Sequence, residues 1–504
     1  MEFKLPDSTK NWTSLIGATI ALVTLLIIIF LIFISLYSTG SDSYLGLVTY
    51  IILPPFLIFG LVLIPIGMYF KHKQLKIAKN EGNKVLPFID LNIKSHRTAF
   101  FIFSIGTVLY LFLSAFGSYE AFNYTESVKF CGKTCHYVMK PEYTAYLNSP
   151  HARVACAECH VGEGVDWYVR SKISGLHQVY SVTLGTVEKP IKTPISNLRP
   201  ARETCERCHW PEKFYSRNLI TRRHYLSDEN NSEWDIGMTL KIGGKLKAFA
   251  LDEGIHWHIN SNVEIQYIAT DYKRQNIPWI KYTNKKTGKV TIYQDVDEPL
   301  TQEQIDSLST RTFDCIDCHN HPAHIYNSPT TFINTAIDKG EIPKSLPMIK
   351  AKAVEVCSQV YSTTDSAMLG IEKSITEFYK GEYPNIYKTK LNLIKQSING
   401  IKTEFNKNIF PEMKVRWEAF PNNIGHMESK GCFRCHDGNH ETESGKVITR
   451  DCNTCHNINE QGYPSNLEKA EFGSSLKFVH PGDEVEESDW MEGSCTDCHG
   501  SEGN

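Results

Sequence analysis

The chain has 504 residues, 41% of them hydrophobic, and a net charge of -3 from 53 basic and 56 acidic side chains. So near neutrality, and with no basic stripe outside one short loop, it is not built to hold a polyanion, and nucleic-acid binding is excluded. The average composition joins two unlike parts, because nearly charge-free apolar runs fill about the first 120 residues and the remainder is polar, aromatic and rich in Cys and His.

Three apolar stretches are long enough to cross a bilayer as helices, at about 14–37, 44–70 and 98–117. The first is longer than the apolar core of a secretory signal and no small-x-small cleavage site follows it, so it reads as an uncleaved anchor. Pro54, Pro55 and Pro65 in the second are tolerated in a membrane helix. The loop between the second and third carries Lys71, Lys73, Lys76, Lys79, Lys84, Lys94 and Arg97 against Glu81 and Asp90, while the loop between the first two has no Lys or Arg. Basic loops stay in the cytoplasm. The reading that follows is a bacterial cytoplasmic-membrane protein with a cytoplasmic N-terminus and everything after Gly117 on the periplasmic side.

Fifteen cysteines follow a strict pattern. Six pairs have two intervening residues and a His directly after the second Cys: Cys156, Cys159 and His160; Cys205, Cys208 and His209; Cys315, Cys318 and His319; Cys432, Cys435 and His436; Cys452, Cys455 and His456; Cys495, Cys498 and His499. The first pair in the chain, Cys131 and Cys135 with His136, has three intervening residues. Cys-x-x-Cys-His is the attachment signature of c-type haem: the sulfurs bond the macrocycle and the adjacent His ligates its iron. Zinc ribbons would need clustered pairs and no His after each one. The expected cofactor is therefore seven covalently bound haem c groups. Cys357 is left over and reads as a small buried residue.

An iron that only shuttles electrons takes a second axial ligand. Outside the motifs the candidates are His151, His177, His224, His256, His258, His321, His324, His426, His440 and His480. The expected set is His151, His224, His258, His324, His426, His440 and His480, with Met139 as a thioether ligand near the first motif, which raises the potential of its haem. Spacing alone does not say which donor serves which haem.

A haem-free stretch separates the third and fourth motifs. Alternating segments at 239–242, 263–269, 279–283 and 289–293, the last two joined by Lys-Lys-Thr-Gly, predict strands with a hairpin. Helical patterning returns from about 348 to 410 as a polar linker. The acidic run Asp483, Glu484, Glu486, Glu487, Asp489 and Glu492 precedes the last motif, as a solvated loop or a surface that steers a basic periplasmic c-type cytochrome. The expected fold is mainly α: three transmembrane helices, then an extracytoplasmic multihaem cytochrome c domain with little regular structure and a small β-rich insertion. The expected segments are an anchor at 1–117, a three-haem module at 118–210, the β-rich insertion at 211–310, a fourth haem segment at 311–347, the helical linker at 348–425 and a three-haem cluster at 426–504.

The stretch from Cys131 to Trp210, with its first three motifs and the helix before it, resembles the NapC/NirT family of membrane-anchored quinol dehydrogenases. The resemblance implies electrons taken from menaquinol, drawn from the membrane quinone pool, and passed to periplasmic cytochromes or reductases. It implies a Met ligand on the first haem, a role Met139 matches one position late, and a Lys lining the quinol pocket, which corresponds to Lys172. The family's Asp a few residues further on is absent here, where His177 and Gln178 stand. Oxidation of a quinol releases two protons, and Glu142, Lys172 and His177 are the candidate acceptors. The alternative activity is a membrane-anchored periplasmic reductase of a nitrogen or sulfur oxyanion, in which one iron keeps an open position.

Overall fold

The computed structural model describes residues 10–37, 48–78, 90–134, 136–162, 164–195, 199–210, 216–243, 254–482 and 493–500. Cys135, residues 79–89 of the basic loop and the acidic run at 483–492 lie outside the described residues. The chain divides into two compact units, Met1–Met139 with Ala155–Ala157, and Lys140–Val154 with Glu158–Asn504.

The first unit contains α1 (Trp12–Tyr37), α2 (Leu53–Ala78) and α3 (Lys94–Thr125). Among the described residues these are the helices long and apolar enough to cross a membrane, over Trp12–Leu31, Leu53–Lys71 and His96–Thr125. In lipid there is no hydrophobic force between helices, so association depends on close backbone approach at small residues and on polar contacts. α1 and α2 use both. A Cβ added to Gly60 would lie 2.7 Å from the Ala21 nitrogen and 2.8 Å from the Gly17 oxygen, and the Ser14 hydroxyl donates across to the Ile64 carbonyl at 2.9 Å. α3 continues to Thr125, past the expected end at 117, because 118–125 contains neither Gly nor Pro. A π-helical turn, Phe130–Thr134, then carries Cys131. A π turn accommodates one inserted residue, which suits the longer spacing of this motif.

In the second unit α4 (His136–Leu147, begun in the first) and α5 (Val165–Thr183) are followed by two sheets. Strands β1 (Arg217–Tyr225) and β2 (Glu233–Lys241) join β8 (His456–Tyr463) and β9 (Asn466–Lys469) in the order β1-β2-β8-β9. Strands β3 (Val263–Ile268), β4 (Trp279–Asn284), β5 (Val290–Asp295), β6 (Arg311–Thr312) and β7 (His440–Glu441) form the second, in the order β6-β3-β4-β5-β7. The expected strands correspond to β2 through β5, and β4 and β5 form the expected antiparallel hairpin. Its turn is held by the Asn284 side chain, which accepts from the amides of Lys286 and Thr287, and by Gly288 at φ +70°. β1, β8 and β9 were not expected. β8 reads His-Asn-Ile-Asn-Glu-Gln-Gly-Tyr, a composition with little strand preference, and its pairing with β2 on one side and β9 on the other makes it a strand. The β structure is thus completed by residues well beyond 310.

The expected polar linker is a packed helical unit. α6 (Pro329–Asp338), α7 (Ile349–Ser358), α8 (Thr364–Gly381) and α9 (Leu391–Asn408) share one apolar core. Ile371, Ile375 and Tyr379 repeat at four-residue steps on α8, and Ile394, Ile398, Ile401 and Phe405 line one face of α9. Cys357 is fully buried in this core, and burial pushes its thiol pKa up.

Candidate haem-binding sites

Each two-residue motif described here folds as a single turn. The amide of His209 donates to the Cys205 carbonyl at 2.8 Å, that of His319 to Cys315 at 2.9 Å and that of His436 to Cys432 at 3.1 Å. One turn thereby presents two sulfurs and an imidazole together. Two of these turns are capped reciprocally. The Asp314 carboxylate accepts from the Ile316 amide while Asp317 accepts from the Asp314 amide, and Ser494 and Asp497 repeat the arrangement around Cys495. No disulfide joins the described cysteines.

The main finding is how the histidines meet. Six motif rings each face a non-motif ring: His160 with His324 at 6.3 Å between centroids, His209 with His151 at 6.0 Å, His319 with His256 at 6.4 Å, His436 with His258 at 5.9 Å, His456 with His426 at 6.3 Å and His499 with His480 at 6.0 Å. A metal ion takes an imidazole nitrogen at about 2.0 Å, so two rings on opposite sides of one ion have centroids about 6 Å apart. The residues present fit a six-coordinate haem iron at each of these pairs.

The donor chemistry fits as well. Metal-ligating histidines hold the other ring nitrogen in a hydrogen bond that sets the tautomer. Here Nδ1 of His151 donates to the Pro322 carbonyl at 3.0 Å, that of His258 to Ile255 at 2.7 Å, that of His324 to Glu142 at 3.1 Å and that of His436 to Thr449 at 2.9 Å. Each leaves Nε2 as the lone-pair nitrogen. Burial also keeps the rings neutral: it lowers the His160 and His258 pKa values and pushes those of His256 and His324 down to about 4.

Two members of the expected ligand set, His440 and His224, make no such ring pair among the described residues. His440 is buried with both ring nitrogens bonded, Nδ1 to the Asp437 carboxylate at 2.9 Å and Nε2 to the Ile277 carbonyl at 2.7 Å. Burial opposes its charge, but these two acceptors outweigh it and raise its pKa, and in this arrangement both nitrogens are engaged within the protein. His224 stands in β1 and makes no ring pair with a motif histidine among the described residues. His321 packs on Phe420 instead. The ring that faces a motif histidine and that the selected set omitted is His256, two residues before His258 in a single 3-10 turn, Ile255–Ile259. Its proximity to His258 is the signal that could have drawn attention to it.

The motifs also follow one another in space. The Cys131 and Cys156 thiols hydrogen-bond within the first unit. In the second, the Cys205 and Cys315 thiols hydrogen-bond, with Cys159 in electrostatic reach of Cys205. Cys318 is in reach of Cys432 and Cys435, Cys455 of Cys432, and Cys495 of Cys452. Neighbours in sequence are neighbours in the fold from the second motif to the seventh. At the first motif the His136 side chain lies outside the described residues, and Met139 follows on α4.

The candidate quinol residues sit on two helices. Lys172 is half-buried on α5 with Nζ 4.8 Å from the Tyr168 ring centroid, and His177 is exposed on the same helix. Val169, Ile173, Leu176 and Tyr180 make an exposed apolar stripe along α5. Glu142 is on α4. Burial raises its pKa to about 7 against a weaker opposing backbone hydrogen bond. Its Oε2 and the Tyr326 hydroxyl are buried with no hydrogen-bond partner among the described residues.

Residues 93–194 match the family described as NapC/NirT cytochrome c family, N-terminal region. The chain is 42% identical over 492 residues, 97% of its length and 95% of the relative's, to cytochrome c-type protein ImcH of Geobacter sulfurreducens. No solved structure matches it. A relationship at that identity over nearly the whole of both chains, with the family's own region inside it, makes this chain a member of the NapC/NirT cytochrome c family, membrane-anchored electron-transfer proteins with covalently bound haem c.

Proposed function

We propose that the chain is a quinol dehydrogenase of the cytoplasmic membrane that oxidises menaquinol at the periplasmic face and passes electrons through seven haem c groups to periplasmic c-type cytochromes. The observation that carries this reading is the set of six facing histidine pairs. A second imidazole on each of these six irons leaves no open position there for a substrate, which favours a conduit over the alternative oxyanion reductase and keeps their potentials low. The motif order supports a path that runs from the anchor toward the C-terminal haems.

At the electron-accepting end, His136 and Met139 are one turn apart on α4. In this reading His136 and Met139 hold the first iron. The apolar stripe of α5 suits a helix lying in the membrane interface, with Lys172 near the quinol head group. Glu142 and His177 serve as proton acceptors, and the basic loop at 71–97 keeps the N-terminus cytoplasmic.

The test is haem reduction by a menaquinol analogue in membranes that contain the protein, followed by visible absorption, with Lys172→Ala and Met139→Ala alongside. Rapid reduction in the parent, lost or slowed at least tenfold in both variants, is the expected result. Absence of reduction by quinol, together with a high-spin signal that responds to small oxyanions, would overturn the reading in favour of a reductase.

A further inference from the structure

His256 and His258 lie two residues apart, yet they face different motif rings. His256 is 6.4 Å from His319 with the ring planes at 20°, and His258 is 5.9 Å from His436 with the planes at 85°. We infer that His256-Trp257-His258 is a two-haem clip: His256 is the second axial ligand of the fourth haem and His258 that of the fifth, so one short turn of the β-rich segment bridges two irons. This inference rests on the haem reading proposed above.

Three features of the fold build the clip. The 3-10 turn fixes the rise and rotation between the two rings, and it is anchored by the His256 amide donating to the Ile242 carbonyl at 2.9 Å. Gly254, at φ +111°, enters the turn where a Cβ would lie 2.6 Å from the Lys241 carbonyl oxygen, so only glycine lets the chain pass that close to β2. Trp257, between the two ligands, stacks on Tyr282 of β4 at 5.5 Å and 27°, which ties the turn to the second sheet.

The proximal side is clamped to match. Asp317 and Arg434 are the residues just before the second cysteine of the fourth and fifth motifs, and Arg434 Nη2 donates to the Asp317 carbonyl at 2.6 Å. The buried Asp317 carboxylate in turn accepts from Tyr267 at 2.6 Å and from Arg311 at 2.8 Å. Cys435 packs against the core of the second sheet. The fourth and fifth sites are therefore joined through backbone on both faces, and the β-rich segment, which carries no attachment motif of its own, sets their geometry. The clip gives this segment its role: it supplies the donors that couple the N-terminal haem group to the C-terminal one.

The experiment uses the full-length holoprotein with its haem count verified by mass. His256→Ala and His258→Ala are each expected to convert one of the seven haems from low-spin to a high-spin form that binds carbon monoxide when reduced, and the double variant two. Nearly parallel axial rings give a rhombic low-spin resonance and perpendicular rings a more anisotropic one. His256→Ala should thus remove a rhombic component and His258→Ala an anisotropic component from the electron paramagnetic resonance spectrum. His321→Ala, which alters a ring packed on Phe420, should leave the spectrum unchanged. A full low-spin complement in His256→Ala and His258→Ala, with all haems retained, overturns the clip. Where an alanine variant fails to accumulate, His256→Met and His258→Met decide instead: a thioether keeps the iron low-spin and raises one midpoint potential, and unmoved potentials overturn the inference. A parent protein lacking haem at the fourth or fifth motif would refute the haem reading itself, a result distinct from loss of the clip alone.

Discussion

Arg434 and Asp317 join two attachment motifs directly, because the guanidinium of one donates to the backbone carbonyl of the other at 2.6 Å. Arg434 also donates to the carbonyls of Gly431 and Arg274, both at 2.9 Å, so one buried side chain satisfies three backbone acceptors. Replacing it with an apolar residue of similar length strands those acceptors, and each buried polar group so stranded costs about 1–3 kcal/mol. Arg434→Met should therefore lower the unfolding midpoint in denaturant by several kcal/mol equivalent while all haems remain attached. A midpoint within error of the parent would show that the carbonyls find other partners.

His440 is expected to behave as a structural cation. Its folded pKa is raised, so its contribution to stability is complete below its unfolded value of about 6.5 and is lost as pH rises through the folded value. Thermal unfolding followed against pH should show the parent losing stability above neutrality relative to its own value at pH 5.5, and His440→Gln should flatten that slope. The variant should also keep every haem low-spin. A high-spin haem in His440→Gln would mean that the ring ligates iron after all.

Glu142 behaves in the opposite sense from most carboxylates. With its pKa raised to about 7 by burial, the folded protein holds a proton that the unfolded chain releases. Stability is unaffected below the unfolded pKa and falls as pH rises from there to about 7. Glu142→Gln, neutral at every pH, should be more stable than the parent at pH 7 by up to about 3 kcal/mol and indistinguishable from it at pH 4. If Glu142 accepts quinol protons, the same variant should lose the part of the quinol-dependent rate that titrates near neutrality. Equal unfolding midpoints at pH 7 would show a carboxylate that is already ionised.

The helical unit should be separable in energy from haem chemistry. Phe405 is fully buried among Ile371, Ile375 and their neighbours, and no attachment motif lies in α6 to α9. Phe405→Ala should cost about 3–5 kcal/mol, as large-to-small changes in packed cores do. Calorimetry should show the loss, and the haem spectrum at low temperature should be unchanged. A shifted spectrum would mean that this core supports a haem site directly.

The attachment motifs and the membrane helices were legible in the chain because both are local. Two sulfurs and a ligand must lie on one turn, as the hydrogen bond from the His319 amide to the Cys315 carbonyl shows, and a span must be one unbroken apolar run, as Trp12–Tyr37 is. The β4–β5 hairpin was readable for the same reason, since Asn284 and Gly288 act on their own neighbours. Partnerships across the chain were not. His160 meets His324 and His209 meets His151 through packing that no spacing encodes. His256 and His440 look alike as isolated histidines, yet one faces a motif ring while the other has both nitrogens committed to Asp437 and Ile277. β8 becomes a strand only between β2 and β9, and a polar stretch of helices acquires a core only when four of them close on it. The sequence by itself determined where the Cys-x-x-Cys-His turns and the long apolar helices lie, because those depend on neighbours within a turn or a span. Which ring faces which motif histidine depends on residues far apart in the chain meeting at about 6 Å, and only the tertiary structure decided that.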